Sequence, residues 1–208
     1  GASDAQDHAA RPRAVVYAGV IAPARGSHEM IQAVEQVPDC RLHLAGEFNP
    51  LSARATAEAL SGWSRVDAHG WIGRSEIVRL YSESRVGLLV LQPMPNYLES
   101  YPVKLFEYML AGLPVIASDF PFWRRFVADD ECGIHVDPLD PDAIANAIAW
   151  LLDHPEEAVA MGRRGRAAAL ANYTWESQER VLLDAYARLA GAPVRAAPDA
   201  AAATTSPG

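Results

Sequence analysis

The chain has 208 residues, which is the length of one domain, and half of them are hydrophobic, enough to form a sizeable core. Its formal charge of −8 argues against a general nucleic-acid-binding or anionic-membrane surface, so any phosphate site must be local. Cys40 and Cys132 have neither metal-ligand nor disulfide-framework spacing, and no apolar run is long enough for a transmembrane segment. We expect a cytoplasmic protein, with peripheral attachment to the inner membrane face as an open alternative.

The pattern along the chain predicts one folded domain between two unstructured ends. Residues 1–13 are small, polar and aperiodic and are predicted to be a linker or a cut end. The domain is expected at residues 14–190. Residues 191–208 are low in complexity and are predicted to form a disordered tail.

Short apolar runs alternate with amphipathic helical patterns throughout the predicted domain. Strands are predicted at 14–18, 41–46, 65–70, 86–91, 114–118 and 132–136, with 86–91 as the central one. Helices are predicted at 27–37, 51–60, from 75, at 123–127, 143–152, 155–170 and after 174, with Ser27, Ser75, Asp140 and Thr174 as N-caps.

Strands too apolar to face water, each followed by a helix, imply a parallel sheet that is covered on both faces. The predicted fold class is therefore α/β, a doubly wound Rossmann-like sheet of about six strands. Such a sheet binds its ligand beyond the carboxyl ends of its strands. The loops at 20–26, 46–49, 70–75 and 92–103 should then surround the binding site.

The loop after the first predicted strand lacks the GxGxxG pattern of dinucleotide-binding folds, which argues against nicotinamide or flavin binding. It carries Arg25 instead, two residues before the predicted helix cap. A guanidinium at this position can grip a diphosphate with paired hydrogen bonds. A surface arginine at a helix entrance remains the alternative.

The stretch 96–119 contains the only lysine of the sequence, Lys104, between Glu99 and Glu107. Two carboxylates would repel a phosphate, but they can accept hydrogen bonds from sugar hydroxyls. Glu107 on the helix would then bind a ribose and Glu99 would face a sugar, while Lys104 and the N–H groups near Val103 would hold a diphosphate. The alternative is a surface ion pair between Lys104 and Glu107, three residues apart.

Three stretches together resemble one known family. They are YAGVIAPARGSHEMIQAV, HGWIGRSEIVRLYSES and ESYPVKLFEYMLAGLPVIASD, and the tail YTWESQERVLLDAYARL continues the similarity, which covers residues 15–189 in order. They are similar to the C-terminal, donor-binding half of a family 4 glycosyltransferase of the GT-B fold. Glu99 and Glu107 match the two acids of the E-x7-E motif of that family.

The resemblance implies that Glu107 holds the ribose of a nucleoside-diphosphate sugar, with UDP or GDP as the nucleotide. It implies that Glu99 lies at the donor sugar and that Arg25 binds the diphosphate with the backbone at Val103 and Lys104. Gly19 would border the donor, and the loop containing Gly73 and Arg74 would border the base. Glu99, Arg25 and Lys104 would be catalytic, with retention of configuration and with neither metal nor cofactor.

The sequence departs from the family at two positions and in length. Val20 follows Gly19 where many members carry an arginine, and Pro102 stands where glycine is common; Lys104 could compensate for both. A GT-B enzyme has two facing domains, so an N-terminal acceptor domain, in the same or a separate chain, is the expected partner, with a glycan or lipid-linked acceptor. A non-catalytic nucleotide-sugar-binding subunit and a sugar-nucleotide epimerase remain open alternatives.

Overall fold

The computed structural model describes residues 2–189. Their strands are β1 (Ala14–Ala18), β2 (Arg41–Ala45), β3 (Val66–Gly70), β4 (Val86–Leu89), β5 (Val115–Ser118) and β6 (Gly133–Val136). Their α-helices are α1 (Ala2–Ala10), α2 (Ser27–Gln36), α3 (Ala53–Glu58), α4 (Arg74–Glu83), α5 (Pro95–Leu98), α6 (Val103–Leu110), α7 (Pro121–Val127), α8 (Pro141–Asp153), α9 (Pro155–Asn172) and α10 (Trp175–Leu189). The chain divides after Leu170 into two compact units, and the sheet lies in the first. The predicted tail at 191–208 lies outside the described residues.

The six strands form one parallel sheet in the order β3-β2-β1-β4-β5-β6. This confirms the predicted doubly wound α/β fold, and β4 is one of the two middle strands of the sheet, next to β1. Every residue of β1, β4 and β5 is buried, as expected for strands that are covered on both faces. The strand order reverses between β1 and β4, where folds of this kind bind ligands.

Residues 1–13 were predicted to be an aperiodic linker or a cut end, whereas Ala2–Ala10 form helix α1. The side chain of His8 is buried, and its Nε2 donates a hydrogen bond to the Arg85 carbonyl oxygen at 3.1 Å. The buried Arg85 guanidinium donates in return to the carbonyl oxygens of Ala9 and Arg11 at the end of α1. These polar contacts hold α1 against the domain. Because they do not require an apolar stripe on the helix, the sequence pattern does not indicate it.

Two of the four predicted helix caps are correct. The Asp140 carboxylate accepts hydrogen bonds from the N–H groups of Asp142 and Ala143, and the Thr174 hydroxyl accepts one from the N–H of Ser177. Ser27 and Ser75 are not caps, because α2 and α4 are capped by the glycines at positions 26 and 73. A Cβ atom at position 26 would lie 2.0 Å from the Val90 carbonyl oxygen, so the chain requires glycine there.

Replacing Asp140 with alanine should lower the free energy of unfolding by about 1 kcal/mol, because two N–H groups at the start of α8 lose their acceptor. The control is Asp153→Ala at the other end of α8, which removes only an exposed ion pair with Arg13 and should cost less than about 0.5 kcal/mol. Urea unfolding of both variants measures the difference. Equal losses would contradict the capping role.

Candidate functional site

Two glycines let the carboxyl ends of β1 and β2 come close together. The Gly19 N–H donates to the Ala45 carbonyl oxygen at 2.8 Å, and the Gly46 N–H donates to the Gly70 carbonyl oxygen at 2.7 Å. A Cβ atom on Gly46 would lie 1.8 Å from the Gly19 carbonyl oxygen. A cavity of about 290 Å³ opens above these strand ends, and its lining includes Gly19, Gly46, Trp71 and Lys104.

A second cavity of about 530 Å³ adjoins the first. Ile72, Ile77 and Lys104 line both cavities, so the two share a wall. The larger cavity lies between α4 and α6. Its other charged and phenolic lining residues are Arg11, Arg74, Tyr81 and Glu107. A ligand with two chemically different halves could therefore lie across the pair of cavities.

Glu107 has one carboxylate oxygen fixed by two donors. The Tyr81 hydroxyl donates to Oε2 at 3.0 Å, and Lys104 Nζ donates to the same atom at 2.7 Å. No described residue donates a hydrogen bond to Oε1. Burial of Tyr81 and the nearby negative charge of Glu107 raise the pKa of the Tyr81 phenol, so it remains a protonated donor. The carboxylate is thus held in one orientation with an acceptor oxygen to spare.

Lys104 forms the ion pair with Glu107 that was the alternative to a role in binding. The pair does not remove the lysine from the site, because its side chain is only 25% exposed and lines both cavities. The ammonium group carries three donors and uses one of them on Glu107. Ion pair and ligand contact are therefore compatible.

Arg25 lies outside both cavities and is part of a 3-10 turn at Pro23–Arg25. Its guanidinium carbon lies 5.5 Å from the centre of the Tyr97 ring, within the range of a cation–π contact. The loop that carries Tyr97 is tied to the Arg25 loop, since the Gln92 N–H donates to the Ala24 carbonyl oxygen at 3.0 Å and Gln92 Nε2 donates to Glu29 at 2.8 Å. These contacts join the β1–α2 loop to the loop that precedes α6.

Glu99 and Val103 also line neither cavity. Glu99 ends helix α5, and its exposed carboxylate makes no hydrogen bond to the described residues. The Val103 N–H is not free, because it donates to the Tyr101 carbonyl oxygen at 3.0 Å. Of the two backbone N–H groups that were expected to serve a diphosphate, only that of Lys104 lacks an acceptor among the described residues.

The β3–α4 loop places its two predicted residues differently. Gly73 caps α4, and its N–H donates to the Glu76 carboxylate at 3.3 Å. Gly73 lines neither cavity. Arg74 lines the larger cavity. Trp71 lies at the rim of the smaller cavity with 77% of its surface exposed, whereas Trp123 is buried and donates to the Ser100 carbonyl oxygen. Trp71 is thus available at the cavity rim, whereas Trp123 packs in the core.

The structure adds two residues that the sequence did not assign to the site. Tyr81 belongs to a predicted helix, and Arg11 to the predicted linker or cut end. Neither has a motif that could have identified it, because each reaches the larger cavity through tertiary packing. Of the predicted residues, Gly19, Arg74, Lys104 and Glu107 line the paired cavities, and Arg25, Gly73, Glu99 and Val103 do not.

The cysteines offer no chemistry to this site. Cys40 and Cys132 are free and buried, and burial raises the pKa of each thiol to about 12. Within residues 2–189, no group of three or more histidine, cysteine, aspartate or glutamate side chains is placed to hold a metal ion. None of the helices in that range is both long enough and apolar enough to cross a bilayer.

Comparison with known proteins places the chain in a glycosyltransferase family. The family model described as glycosyl transferases group 1 matches residues 3–168, and the chain belongs to that family. A D-inositol 3-phosphate glycosyltransferase from Segniliparus rotundus is 31% identical over 195 residues, which are 88% of this chain and 42% of that protein. The chain thus spans less than half the length of this relative.

Solved structures agree on the fold, which is that of a GT-B glycosyltransferase domain. Sucrose-phosphate synthase from Thermosynechococcus elongatus matches with a TM-score of 0.76 and 28% identity, over 91% of this chain and 49% of that one. HepE from Anabaena, solved in complex with UDP, matches with a TM-score of 0.74 and 19% identity, over 90% of this chain and 53% of that one.

Proposed function

We propose that this chain is the donor-binding half of a retaining glycosyltransferase whose donor is a nucleoside-diphosphate sugar. The observation that carries the proposal is the orientation of Glu107, which lines the larger cavity and is paired with Lys104 at the wall that the two cavities share. Its Oε2 is occupied by two protein donors, and its Oε1 has none among the described residues. A carboxylate oxygen in this state can accept hydrogen bonds from the hydroxyls of a ribose.

With the ribose on Glu107, the diphosphate belongs in the smaller cavity. Gly19 and Gly46 line that cavity without side chains, so phosphate oxygens can approach the backbone closely. Lys104 supplies positive charge from the shared wall. Arg25 would reach the diphosphate from its position against Tyr97, and Glu99 would face the sugar beyond it.

The proposed reaction breaks the bond between the anomeric carbon and the diphosphate oxygen and forms a bond from that carbon to an acceptor hydroxyl oxygen on the same face. The acceptor proton passes to the departing diphosphate oxygen. Lys104 and Arg25 would stabilise the negative charge that develops on the leaving group. Electrostatic stabilisation of this kind is usually the largest single contribution to catalysis. In this mechanism the two cations take the place of a metal ion.

The acceptor site is proposed to lie in an N-terminal domain, in the same or a separate chain. This chain covers 42% of the D-inositol 3-phosphate glycosyltransferase it resembles, so much of such a protein is not represented in it. The acceptor would be a glycan or a lipid-linked sugar. Product analysis with a two-domain form would distinguish transfer from epimerisation and from binding without turnover.

Isothermal titration calorimetry of the 208-residue chain with UDP, GDP and ADP tests the donor site directly. UDP is the first nucleotide to test, because HepE, which shares this fold, was solved with UDP. We expect saturable binding of at least UDP or GDP. If none of the three nucleotides binds, the donor-site proposal is wrong.

Replacing Tyr81 with phenylalanine should raise the Kd for UDP about tenfold, because Glu107 loses a charge-assisted hydrogen bond that orients it. The ring remains to pack edge-on against Tyr108, at a centroid distance of 5.3 Å. Calorimetry with UDP and 2′-deoxy-UDP measures the change, and the variant should also discriminate less between the two sugars. Tyr186→Phe, at a residue that is 62% exposed on α10, is the control. An unchanged preference for the ribose would contradict this role of Tyr81.

A further inference from the structure

We propose that Tyr97 is a positioning residue, whose ring holds the Arg25 guanidinium beside the crevice between β1 and β4, where it can contact the donor diphosphate. This inference rests on the proposed function, which assigns Arg25 to that diphosphate. Tyr97 lies two residues before Glu99 and is neither of the two acids of the E-x7-E motif. The contact therefore gives a role to a residue that no sequence motif identifies.

Tyr97 and Arg25 come from the two loops that flank this crevice. Arg25 ends the 3-10 turn that follows β1, and Tyr97 belongs to helix α5, which follows β4. β1 and β4 are neighbours in the sheet, and the strand order reverses between them. The loops after such a pair of strands surround the ligand-binding crevice of the fold. A contact between Tyr97 and Arg25 thus joins the two loops at the place where a ligand is expected.

The contact holds the charge of Arg25 and leaves its hydrogen-bond donors available. The Arg25 Cζ atom lies 5.5 Å from the centre of the Tyr97 ring, which is partly buried. A cation–π contact draws on the electron-rich face of the ring and requires none of the five N–H groups of the guanidinium. A guanidinium held in this way can still donate paired hydrogen bonds to a diphosphate.

The hydroxyl of the buried Tyr17 is a second neighbour of Arg25. It donates to the Val20 carbonyl oxygen at 2.8 Å, so its oxygen is left to accept a hydrogen bond. Burial raises the pKa of the Tyr17 phenol, and the charge of Arg25 and a hydrogen bond with Arg25 oppose that rise. A Cβ atom at Gly19, which lines the smaller cavity, would lie 3.3 Å from the same hydroxyl oxygen. Arg25 therefore lies close to the strand end where the diphosphate is proposed to bind.

The two loops are also joined by Gln92, independently of Tyr97. The Gln92 N–H donates to the carbonyl oxygen of Ala24, the residue before Arg25. Gln92 Nε2 donates to the Glu29 carboxylate in the first turn of α2. Loss of the Tyr97 ring should therefore release the Arg25 side chain while the loops stay in place.

The experiment compares Tyr97→Leu with Tyr97→Phe by calorimetry with UDP and uridine. Tyr97→Leu removes the ring and should raise the Kd for UDP about fivefold, whereas uridine, which lacks the diphosphate, should bind with unchanged affinity. Tyr97→Phe keeps an aromatic face and should retain most of the affinity for UDP. Phe122→Leu is the matched control, because the Phe122 ring makes an equivalent contact with Arg125 at 5.4 Å on α7 and lines neither cavity.

A double-mutant cycle with Arg25→Ala measures whether Tyr97 acts through Arg25. Arg25→Ala alone should raise the Kd for UDP at least as much as Tyr97→Leu does. In the Arg25→Ala background, Tyr97→Leu should cause no further loss. Circular dichroism confirms the folding of each variant, and Tyr97→Met, whose flexible side chain fills irregular space, takes the place of Tyr97→Leu if that variant does not fold.

The assignment of Tyr97 is wrong, and the donor site stands, if folded Tyr97→Leu or Arg25→Ala binds UDP as tightly as the unaltered chain does. It is also wrong if Tyr97→Leu weakens UDP and uridine equally, or if it causes a further loss in the Arg25→Ala background. If the unaltered chain binds none of UDP, GDP and ADP, the proposed function itself is wrong and this inference fails with it.

Discussion

Replacing Lys104 with alanine is expected to raise the Kd for UDP about 30-fold, a loss of about 2 kcal/mol, because a charge-assisted hydrogen bond to phosphate is removed from a partly buried site. Lys104 is the single lysine of the chain, and its ammonium group is at the wall shared by the two cavities. Isothermal titration calorimetry at constant ionic strength measures the change. An unchanged Kd would remove Lys104 from the site.

Lys104 could also act through its ion pair with Glu107, by orienting that carboxylate. Comparing the binding of UDP with that of uridine, which lacks the diphosphate, distinguishes the two roles. If Lys104 contacts the diphosphate, its removal weakens UDP binding much more than uridine binding. If it acts only by orienting Glu107, both ligands lose affinity equally. Arg79→Ala is the control, because Arg79 forms an exposed ion pair with Glu83 on α4 and lines neither cavity.

Replacing Gly46 with alanine is expected to lower the free energy of unfolding by about 3 kcal/mol or more, because strain and overpacking act together at this residue. Its φ angle is +145°, and an added Cβ atom would lie 1.8 Å from the Gly19 carbonyl oxygen. The two strand ends would have to separate, which would also deform the smaller cavity. Urea unfolding gives the stability, and calorimetry with UDP gives the effect on the site.

Gly70→Ala is the matched control at the next strand end. Gly70 also has a positive φ angle, +66°, but a Cβ atom there would meet nothing within 4 Å. Its replacement should therefore cost only the conformational strain, about 1 kcal/mol. Equal losses for the two variants would mean that the close approach of β1 and β2 is not what requires glycine at position 46.

The order of strands and helices could be predicted because its signals are local. All six predicted strands occur, and β4, predicted to be central because 86–91 is the most apolar run of the sequence, lies in the middle of the sheet. Helix starts were less predictable, since Ser27 and Ser75 have the right chemistry for a cap while glycines at 26 and 73 occupy the cap positions. Helix α1 was missed because buried polar groups, His8 and Arg85, hold it against the domain.

The sequence by itself determined the α/β fold and drew attention to Lys104 and Glu107, because residues three apart on a helix are neighbours whatever surrounds them. Only the tertiary structure decided which groups complete that pair. The hydroxyl of Tyr81, 26 residues earlier in the chain, reaches Glu107 because α4 and α6 line one cavity. Arg11 enters the same cavity because α1 docks on Arg85. Contacts between residues so far apart along the chain depend on how helices pack, and no local pattern records them.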